Sequence, residues 1–139
     1  MNTQTLTSPV VASLVSDAER SLVLPRHFGS QLLEAETTIF AWLRELSADY
    51  QGGYWHFYEL SNGGFYMAPD VGGRFRIEVA GNGYRGCMSA DAAGITACLF
   101  AFSHLSFRFR DGPFGEHFAW LLDFAADHAE ASAILAAAD

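Results

Sequence analysis

The stretch YQGGYWHFYELSNGGFYMAP, residues 50–69, decides how the rest of the chain is interpreted. Eight of its twenty residues have aromatic rings, counting histidine, and four are glycine. After the two adjacent glycines the apolar residues recur at every second position, which is the period of a β-strand. YWHFYEL therefore predicts one strand, SNGG a tight turn and FYMAP the returning strand. The chain is expected to form an antiparallel hairpin with an aromatic centre here.

Two further strands are predicted after this hairpin. Residues 74–80, RFRIEVA, alternate apolar and polar side chains, and residues 84–88, YRGCM, form a second short run. Glycine-containing turns at 70–73 and 81–83 join these strands. Because tight turns connect antiparallel neighbours, the four runs predict one antiparallel β-meander of about four strands.

About four helices are expected around this meander. Ser16 predicts the start of a short helix that ends before Pro25, because proline interrupts the helical ladder. Helical periodicity predicts a longer helix over about 30–46, and another over about 90–104 that is apolar on most of its circumference and therefore buried. Residues 107–110, FRFR, predict a short edge strand. A last helix is expected to begin at Pro113 and to continue to about residue 130.

Length and composition predict an α+β fold in a single compact domain. The 139 residues fit one domain, with residues 1–15 as a flexible N-terminal arm and residues 16–139 as the folded unit. No segment shows the roughly 18 apolar residues of a membrane helix, so no membrane partner is expected. Two cysteines do not make a disulfide framework, which favours a reducing, cytoplasmic location.

The net charge of −8, with no lysine, disfavours general binding to nucleic acid. The last 29 residues contain six acids and no arginine. On a continuous helix four of these acids lie within an arc of about 60°, and they form a ridge about 21 Å long. This acidic ridge consists of Glu116, Asp123, Asp127 and Glu130. It is either an ordinary solvated face or a contact surface for a basic partner.

Catalytic and cofactor-binding motifs are sparse. The five histidines show no metal-ligand spacing, and no metal or cofactor is expected. The run Gly81–Gly86 fits GxGxxG only superficially, and it predicts a hairpin turn because no βαβ unit surrounds it. Cys87 and Cys98 are interpreted as small buried hydrophobes. A small enzyme built around His56 and Glu59 is a further hypothesis, but no complete catalytic constellation is present.

An alternative function is association with nucleic acid through an arginine-rich, aromatic sheet face. Arginine side chains beside exposed rings can bind backbone phosphates while bases stack on the rings. A simpler interpretation is that the rings pair across strands and form the core under a covering helix. The residues of this alternative are Arg74, Arg76, Arg108 and Arg110.

Several long strings resemble the ArdB/KlcA family of antirestriction proteins. They are LPRHFG (24–29), GGYWHFYELSNGGFYMAP (52–69), GNGY (81–84), MSADAAGI (88–95) and DFAADHAEA (123–131). The resemblance covers nearly the whole chain in order. It implies a compact α+β domain, encoded on plasmids and other mobile elements, that protects incoming DNA from type I restriction enzymes while largely sparing methylation.

The resemblance also implies a non-enzymatic inhibitor, and it supplies no catalytic residues. The implied partner is the type I restriction–modification complex, contacted directly or indirectly. The folded unit 16–139 would then be a single antirestriction domain. Beside the acidic ridge, the surface expected to contact the partner is the polar edge of the aromatic hairpin, at Tyr54, His56, Tyr58 and Asn62. With only four acids over about 21 Å, the ridge falls short of the roughly 12 charges of duplex DNA, so faithful DNA mimicry is not expected.

Overall fold

The structure, a computed structural model, describes residues 9–139. These residues form five strands and five α-helices. One strand is followed by two helices, and four strands are then followed by three helices. The strands are β1 (Ala12–Leu14), β2 (Trp55–Leu60), β3 (Phe65–Pro69), β4 (Arg74–Glu78) and β5 (Arg85–Ser89). The helices are α1 (Arg20–Phe28), α2 (Leu32–Leu46), α3 (Ala90–Arg108), α4 (Phe114–Ala126) and α5 (Ala131–Ala138). The α+β class and the aromatic hairpin predicted from residues 54–69 are confirmed.

The strands form two sheets and not one four-stranded meander. One sheet has the order β1-β2-β3 and the other is the β4–β5 hairpin, with all neighbours antiparallel. The link at 70–73 does not pair β3 with β4. Pro69, the last residue of β3, has no N–H to offer to a further strand, and the Asp70 N–H donates back to the carbonyl of Tyr54. The chain therefore leaves the first sheet at this point.

Part of the predicted N-terminal arm lies outside the described residues. Residues 9–15 of that arm are described, and Ala12–Leu14 among them forms β1, which pairs with Leu60, Glu59 and Tyr58 of β2. The first helix also differs from its prediction, because it begins at Arg20 after a turn from Ser16 and contains Pro25. A proline in the sixth helical position removes one hydrogen bond without ending this short helix.

Helix α3 is the centre of the core, as predicted. It packs on β3 so closely that an added Cβ on Gly94 would lie 2.5 Å from the Met67 carbonyl oxygen. Its mean hydropathy of 1.3 over 18 residues satisfies the length and composition of a membrane span, contrary to the expectation from the sequence. However, 67% of that window is buried inside the protein, which is the environment of a core helix.

Residues 107–110 do not form the predicted edge strand. Phe107 and Arg108 complete the last turn of α3, and the Phe109 N–H donates to the Leu105 carbonyl at 2.8 Å. The alternating pattern of FRFR covers only four residues. It competes with a helical ladder that already extends over 17 positions, and continuing an existing helix needs no new nucleus.

Candidate functional site

The two faces of β2 have different environments. Trp55 and Phe57 point into the core, where the Trp55 ring lies 5.1 Å from that of Phe40 and the Arg20 guanidinium lies 4.0 Å from the ring of Phe57. His56 and Tyr58 point to the opposite face, because successive side chains of a strand alternate. The neighbouring strand β3, the N-terminus of α3 and the α4–α5 turn contribute side chains to this second face. It forms the candidate site.

Three stacked rings form the floor of this face. The Tyr58 and Tyr66 rings are 4.7 Å apart and nearly parallel, and the Tyr66 and Phe124 rings are 5.5 Å apart. Tyr66 is buried whereas Tyr58 is half-buried. The aromatic stretch is therefore mostly core, and only its outer edge is open.

A polar network borders the stacked rings. The Tyr66 hydroxyl donates to Asp91 Oδ1 at 2.7 Å, and Asp91 Oδ2 lies 2.8 Å from His128 Nε2. The Glu130 N–H donates to His128 Nδ1 at 2.9 Å. Since Nδ1 accepts this hydrogen bond, the proton of neutral His128 resides on Nε2 and is donated to Asp91.

These contacts change the acidity of the network. Burial acts to raise the pKa of Asp91, but the hydrogen bonds from His128 and Tyr66 outweigh it and hold that pKa below its ordinary value. Burial, and secondly the bond to Asp91, raise the pKa of Tyr66. Asp91 is therefore an ionised acceptor and Tyr66 a neutral donor at neutral pH.

The predicted continuous C-terminal helix is interrupted by this network. Helix α4 ends at Ala126, and Glu130 precedes α5. The Glu130 carboxylate turns inward, where it accepts hydrogen bonds from the N–H and hydroxyl of Ser89. His128 binds the Glu130 N–H, so that group is withdrawn from the helical ladder. The predicted four-residue acidic ridge is therefore wrong as a continuous helical face.

The other three ridge acids remain exposed. Glu116 and Asp123 lie on α4, and Asp127 follows the end of that helix. Whether these acids contact a partner stays a prediction.

A shallow cleft of about 250 Å³ opens between the hairpin and the N-terminus of α3, lined in part by His56, Tyr58, Asp70 and Asp91. His56 Nε2 lies 3.0 Å from Asp70 Oδ1. Burial, followed by the charges of Asp91 and Asp70, raises the pKa of Tyr58. Two of the residues predicted to contact the partner, His56 and Tyr58, thus share one cleft with two carboxylates.

The remaining two residues of the predicted edge are held in other contacts. The Tyr54 hydroxyl donates to Asp17 at 3.2 Å, and its ring lies 4.4 Å from the Arg20 guanidinium. The Asn62 amide donates to the carbonyl of Trp120 at 3.0 Å and attaches the β2–β3 turn to α4. Asn62 has a structural role here that the sequence pattern did not indicate.

His56 and Glu59, the two residues of the enzyme hypothesis, do not contact each other. Glu59 lies on the opposite face of β2 from His56, 2.8 Å from His27 Nε2 and 3.4 Å from Arg26. His27 contacts the buried His117, whose ring centroid is 5.1 Å away. Burial, and secondly the neighbouring His27, lower the pKa of His117 to about 4.

The four arginines of the nucleic-acid alternative do not form one platform. Arg74 and Arg76 lie on β4, where Arg74 is paired with Ser89 just before α3 begins. Arg76 is already bound to Asp49 at 3.0 Å. Arg108 is at the other end of α3, about 27 Å away along a 19-residue helix, and Arg110 follows it.

The remaining motif predictions concern the glycine turn at 81–83, the two cysteines and a metal site. Residues 81–83 are a hairpin turn between β4 and β5, as predicted. Cys98 is buried, and burial raises the pKa of its thiol to about 12, whereas Cys87 is exposed and does not fit the predicted buried position. Within residues 9–139, no three His, Cys, Asp or Glu side chains are grouped in a way that could hold a metal ion.

The Tyr66–Asp91–His128 network was not predicted from the sequence. Its members lie on three separate segments, and a hydrogen bond between distant positions leaves no periodic signal in one sequence. The only indication was that Tyr66, Asp91 and His128 each belong to a different string of the family resemblance. The structure brings those three strings into contact.

Fold and site together define a small acidic α+β domain with an aromatic–carboxylate cleft. Residues 48–139 match the model of a family described as antirestriction protein. The chain is 49% identical to the antirestriction protein KlcA of Escherichia coli, over 100% of both chains. It is also 41% identical to the uncharacterized protein YfjX of Escherichia coli K12, over 87% of this chain and 82% of that one. The chain belongs to the antirestriction protein family.

A solved structure confirms the fold. It superposes with a TM-score of 0.89 at 49% identity and covers 100% of both chains. It comes from work on the KlcA and ArdB proteins, which showed a novel fold and antirestriction activity against type I DNA restriction systems in vivo but not in vitro.

Proposed function

We propose that this protein protects incoming mobile-element DNA against type I restriction in the cytoplasm while largely sparing methylation. The observation that supports this most strongly is the full-length similarity to the KlcA and ArdB proteins, which show antirestriction activity against type I DNA restriction systems in vivo.

The protein acts by binding and not by catalysis. The acidic and basic groups of the cleft are engaged with one another, since Asp91 binds His128 and Asp70 binds His56. An ionised, hydrogen-bonded carboxylate such as Asp91 is a poor proton donor at neutral pH. The pair His56 and Glu59 points to opposite faces of β2, which argues against a shared catalytic centre.

Inhibition does not proceed by copying DNA. The three acids that remain exposed on α4 and just after it span about 17 Å, over which duplex DNA has about 10 charges. The contact surface is therefore a local protein–protein patch that includes His56 and Tyr58.

The protein inhibits the form of the type I enzyme that exists in cells and not the purified enzyme. The related proteins act in vivo but not in vitro, and the same contrast is expected here if a component present in cells completes the target. A purified type I enzyme with this protein would then still cleave DNA, while a clarified lysate of the restricting host would show inhibition. Equal inhibition in both mixtures would contradict the need for a cellular component.

The role of the acidic surface is tested by phage plating on a host with a type I system. The variant Glu116→Gln/Asp123→Asn/Asp127→Asn neutralises the exposed acids of α4 and its end. If these acids contact the partner, plating returns toward the value of cells without the protein. Full protection by this variant would exclude that surface and leave the cleft as the contact.

A control with the same change of net charge separates local contact from overall charge. Glu36→Gln/Asp111→Asn/Asp139→Asn alters three acids elsewhere on the chain. Protection is expected to persist with this control. Equal loss in both variants would show that net charge alone, and not the α4 surface, supports protection.

A further inference from the structure

A long groove runs along α2 on the side of the molecule formed with α3 and the β4–β5 hairpin. One part has a volume of about 750 Å³ and is bordered by Trp42, Phe100 and Tyr84. A second part of about 370 Å³ continues toward Thr37 and His104. Trp42 and Glu45 border both parts, so they lie at the junction of one elongated groove.

The junction combines an aromatic face with a carboxylate. The Trp42 and Phe100 rings are stacked with centroids 4.7 Å apart, and Trp42 is half-buried. Glu45 is exposed and lies three positions after Trp42, which places the two side chains next to each other on the helix surface. The junction therefore offers a ring and an anionic oxygen side by side.

The charges around the groove are unevenly paired. Its lining contains Glu45, Glu78 and one cation, Arg85, whose guanidinium lies 3.9 Å from Glu78. Among residues 9–139, no ion pair joins Glu45 to an arginine or histidine. The groove thus combines apolar and polar side chains along its walls and has an unneutralised carboxylate, Glu45, at its junction.

The wall opposite α2 is held in place by the C-terminus. The Asn82 amide at the tip of the β4–β5 hairpin donates to the carbonyls of Ala137 at 3.0 Å and Asp139 at 3.1 Å. These bonds fix the hairpin tip against the end of α5. A groove with a fixed wall binds a partner at a lower entropic cost than one that must first close.

We infer that this groove binds a protein segment in which an arginine is flanked by apolar side chains, with the guanidinium over Trp42 and paired with Glu45. Arginine fits both partners, because its planar guanidinium stacks on an indole ring and binds a carboxylate through a two-donor fork. The apolar flanking residues fill the two parts of the groove. This inference rests on the proposed function, since the segment would belong to the protein that is engaged during antirestriction.

The groove is tested first with defined probes on the purified full chain. The peptide acetyl-Ala-Leu-Arg-Leu-Ala-amide is titrated while the Trp42 indole N–H is followed by NMR. The same peptide with citrulline in place of arginine keeps the planar shape and removes the charge. The arginine peptide is expected to shift the resonance of the Trp42 indole N–H. Glu45→Arg is expected to weaken binding by about three- to tenfold, because an exposed ion pair is lost and is replaced by a repulsion of similar size.

A matched variant on the same helix is the control. Glu36 lies nine positions before Glu45, which is half a turn away at 100° per residue, and it does not border the groove. Glu36→Arg makes the same change of charge as Glu45→Arg. Both variants are compared with the wild type for melting temperature, peptide affinity and protection of phage in a type I host.

The outcomes separate the inference from the proposed function. Lost protection and lost peptide binding in Glu45→Arg, with both kept in Glu36→Arg, support the groove. Wild-type protection that persists in Glu45→Arg, together with no Trp42 shift, overturns the groove and leaves the proposed function intact. Equal binding of both peptides, or a Trp42 shift with a 20-base-pair DNA duplex alone, also overturns the choice of an arginine segment. If the wild type gives no protection, the proposed function fails, and the peptide titration alone decides for or against the groove.

Discussion

Replacing Gly94 with alanine is expected to destabilise the domain, although alanine is the better helix former. Gly94 lies in the first half of α3, where the helix meets β3. A Cβ at this position would lie 2.5 Å from the Met67 carbonyl oxygen and 2.6 Å from both Cα and Cβ of Ala68. Met67 and Ala68 are themselves buried, so the strand has little room to move.

The expected size of the effect follows from these distances. Carbon atoms normally approach to about 3.5 Å, so the new methyl group overlaps its neighbours by nearly 1 Å. Relief requires α3 to move away from β3, which costs about 3–4 kcal/mol at the upper end of measured overpacking. The higher helix propensity of alanine returns about 1 kcal/mol. The net loss is therefore about 2–3 kcal/mol, or about 5–10 °C in melting temperature.

Urea unfolding followed by circular dichroism measures this loss. Gly115→Ala is the matched control, because Gly115 is also helical and a Cβ there would have no heavy atom within 4 Å. The control is expected to be neutral or stabilised by up to about 1 kcal/mol. If Gly94→Ala unfolds within 0.5 kcal/mol of the wild type, a threshold typical of surface changes, the close approach of α3 to β3 is not as described.

Two further predictions concern His117, which is buried, and Glu130, which is half-buried. The pKa of His117 is about 4 in the folded protein and about 6.5 in an unfolded chain. The free energy of unfolding is therefore highest above about pH 6.5, and it falls by about 3 kcal/mol as the pH drops toward 4, because the unfolded chain binds the proton first. Urea titrations across this range should show the loss in the wild type and a much flatter profile in His117→Phe. Glu130→Ala removes the acceptor of the Ser89 N–H and hydroxyl, so the free energy of unfolding should fall by about 1–3 kcal/mol. Faster hydrogen exchange over 127–139 should accompany that loss, and exchange unchanged from the wild type would show that Glu130 does not anchor this segment.

The sequence predicted those parts of the fold that have local signals. The β2–β3 hairpin, the second hairpin and the helix over 30–46 followed from periodicity, because each is long enough to repeat its pattern. Burial of α3 also followed, because it is apolar on nearly every side. In these segments the local preference and the tertiary environment agree.

The parts that were missed depend on distant partners. Strand β1 has only three residues, too few for a period, and it exists because β2 offers an open edge. The C-terminal helix breaks because His128 binds Asp91, 37 residues earlier in the chain. A helix pattern continues through residues 114–130, so local preference gave no indication of the break.

The candidate site was predicted only in part, for the same reason. His56 and Tyr58 were selected from the aromatic stretch and do line a cleft with carboxylates. Glu130 was placed on an exposed ridge, whereas its carboxylate binds Ser89 at the start of α3. Helical geometry correctly aligns acids on an ideal helix, but it does not predict where a side chain finds a better partner than water.

Measuring restriction and methylation together in one host is the decisive test of the proposed function. Unmodified phage is plated on cells with a complete type I system, with and without this protein, and the methylation of the surviving phage is scored by plating its progeny on the restricting host without the protein. We predict restored plating in the first step and progeny that are largely resistant in the second, because methylation continues. Unchanged plating with folded, well-expressed protein would contradict the proposed function, and restored plating with fully sensitive progeny would show that methylation is inhibited as well.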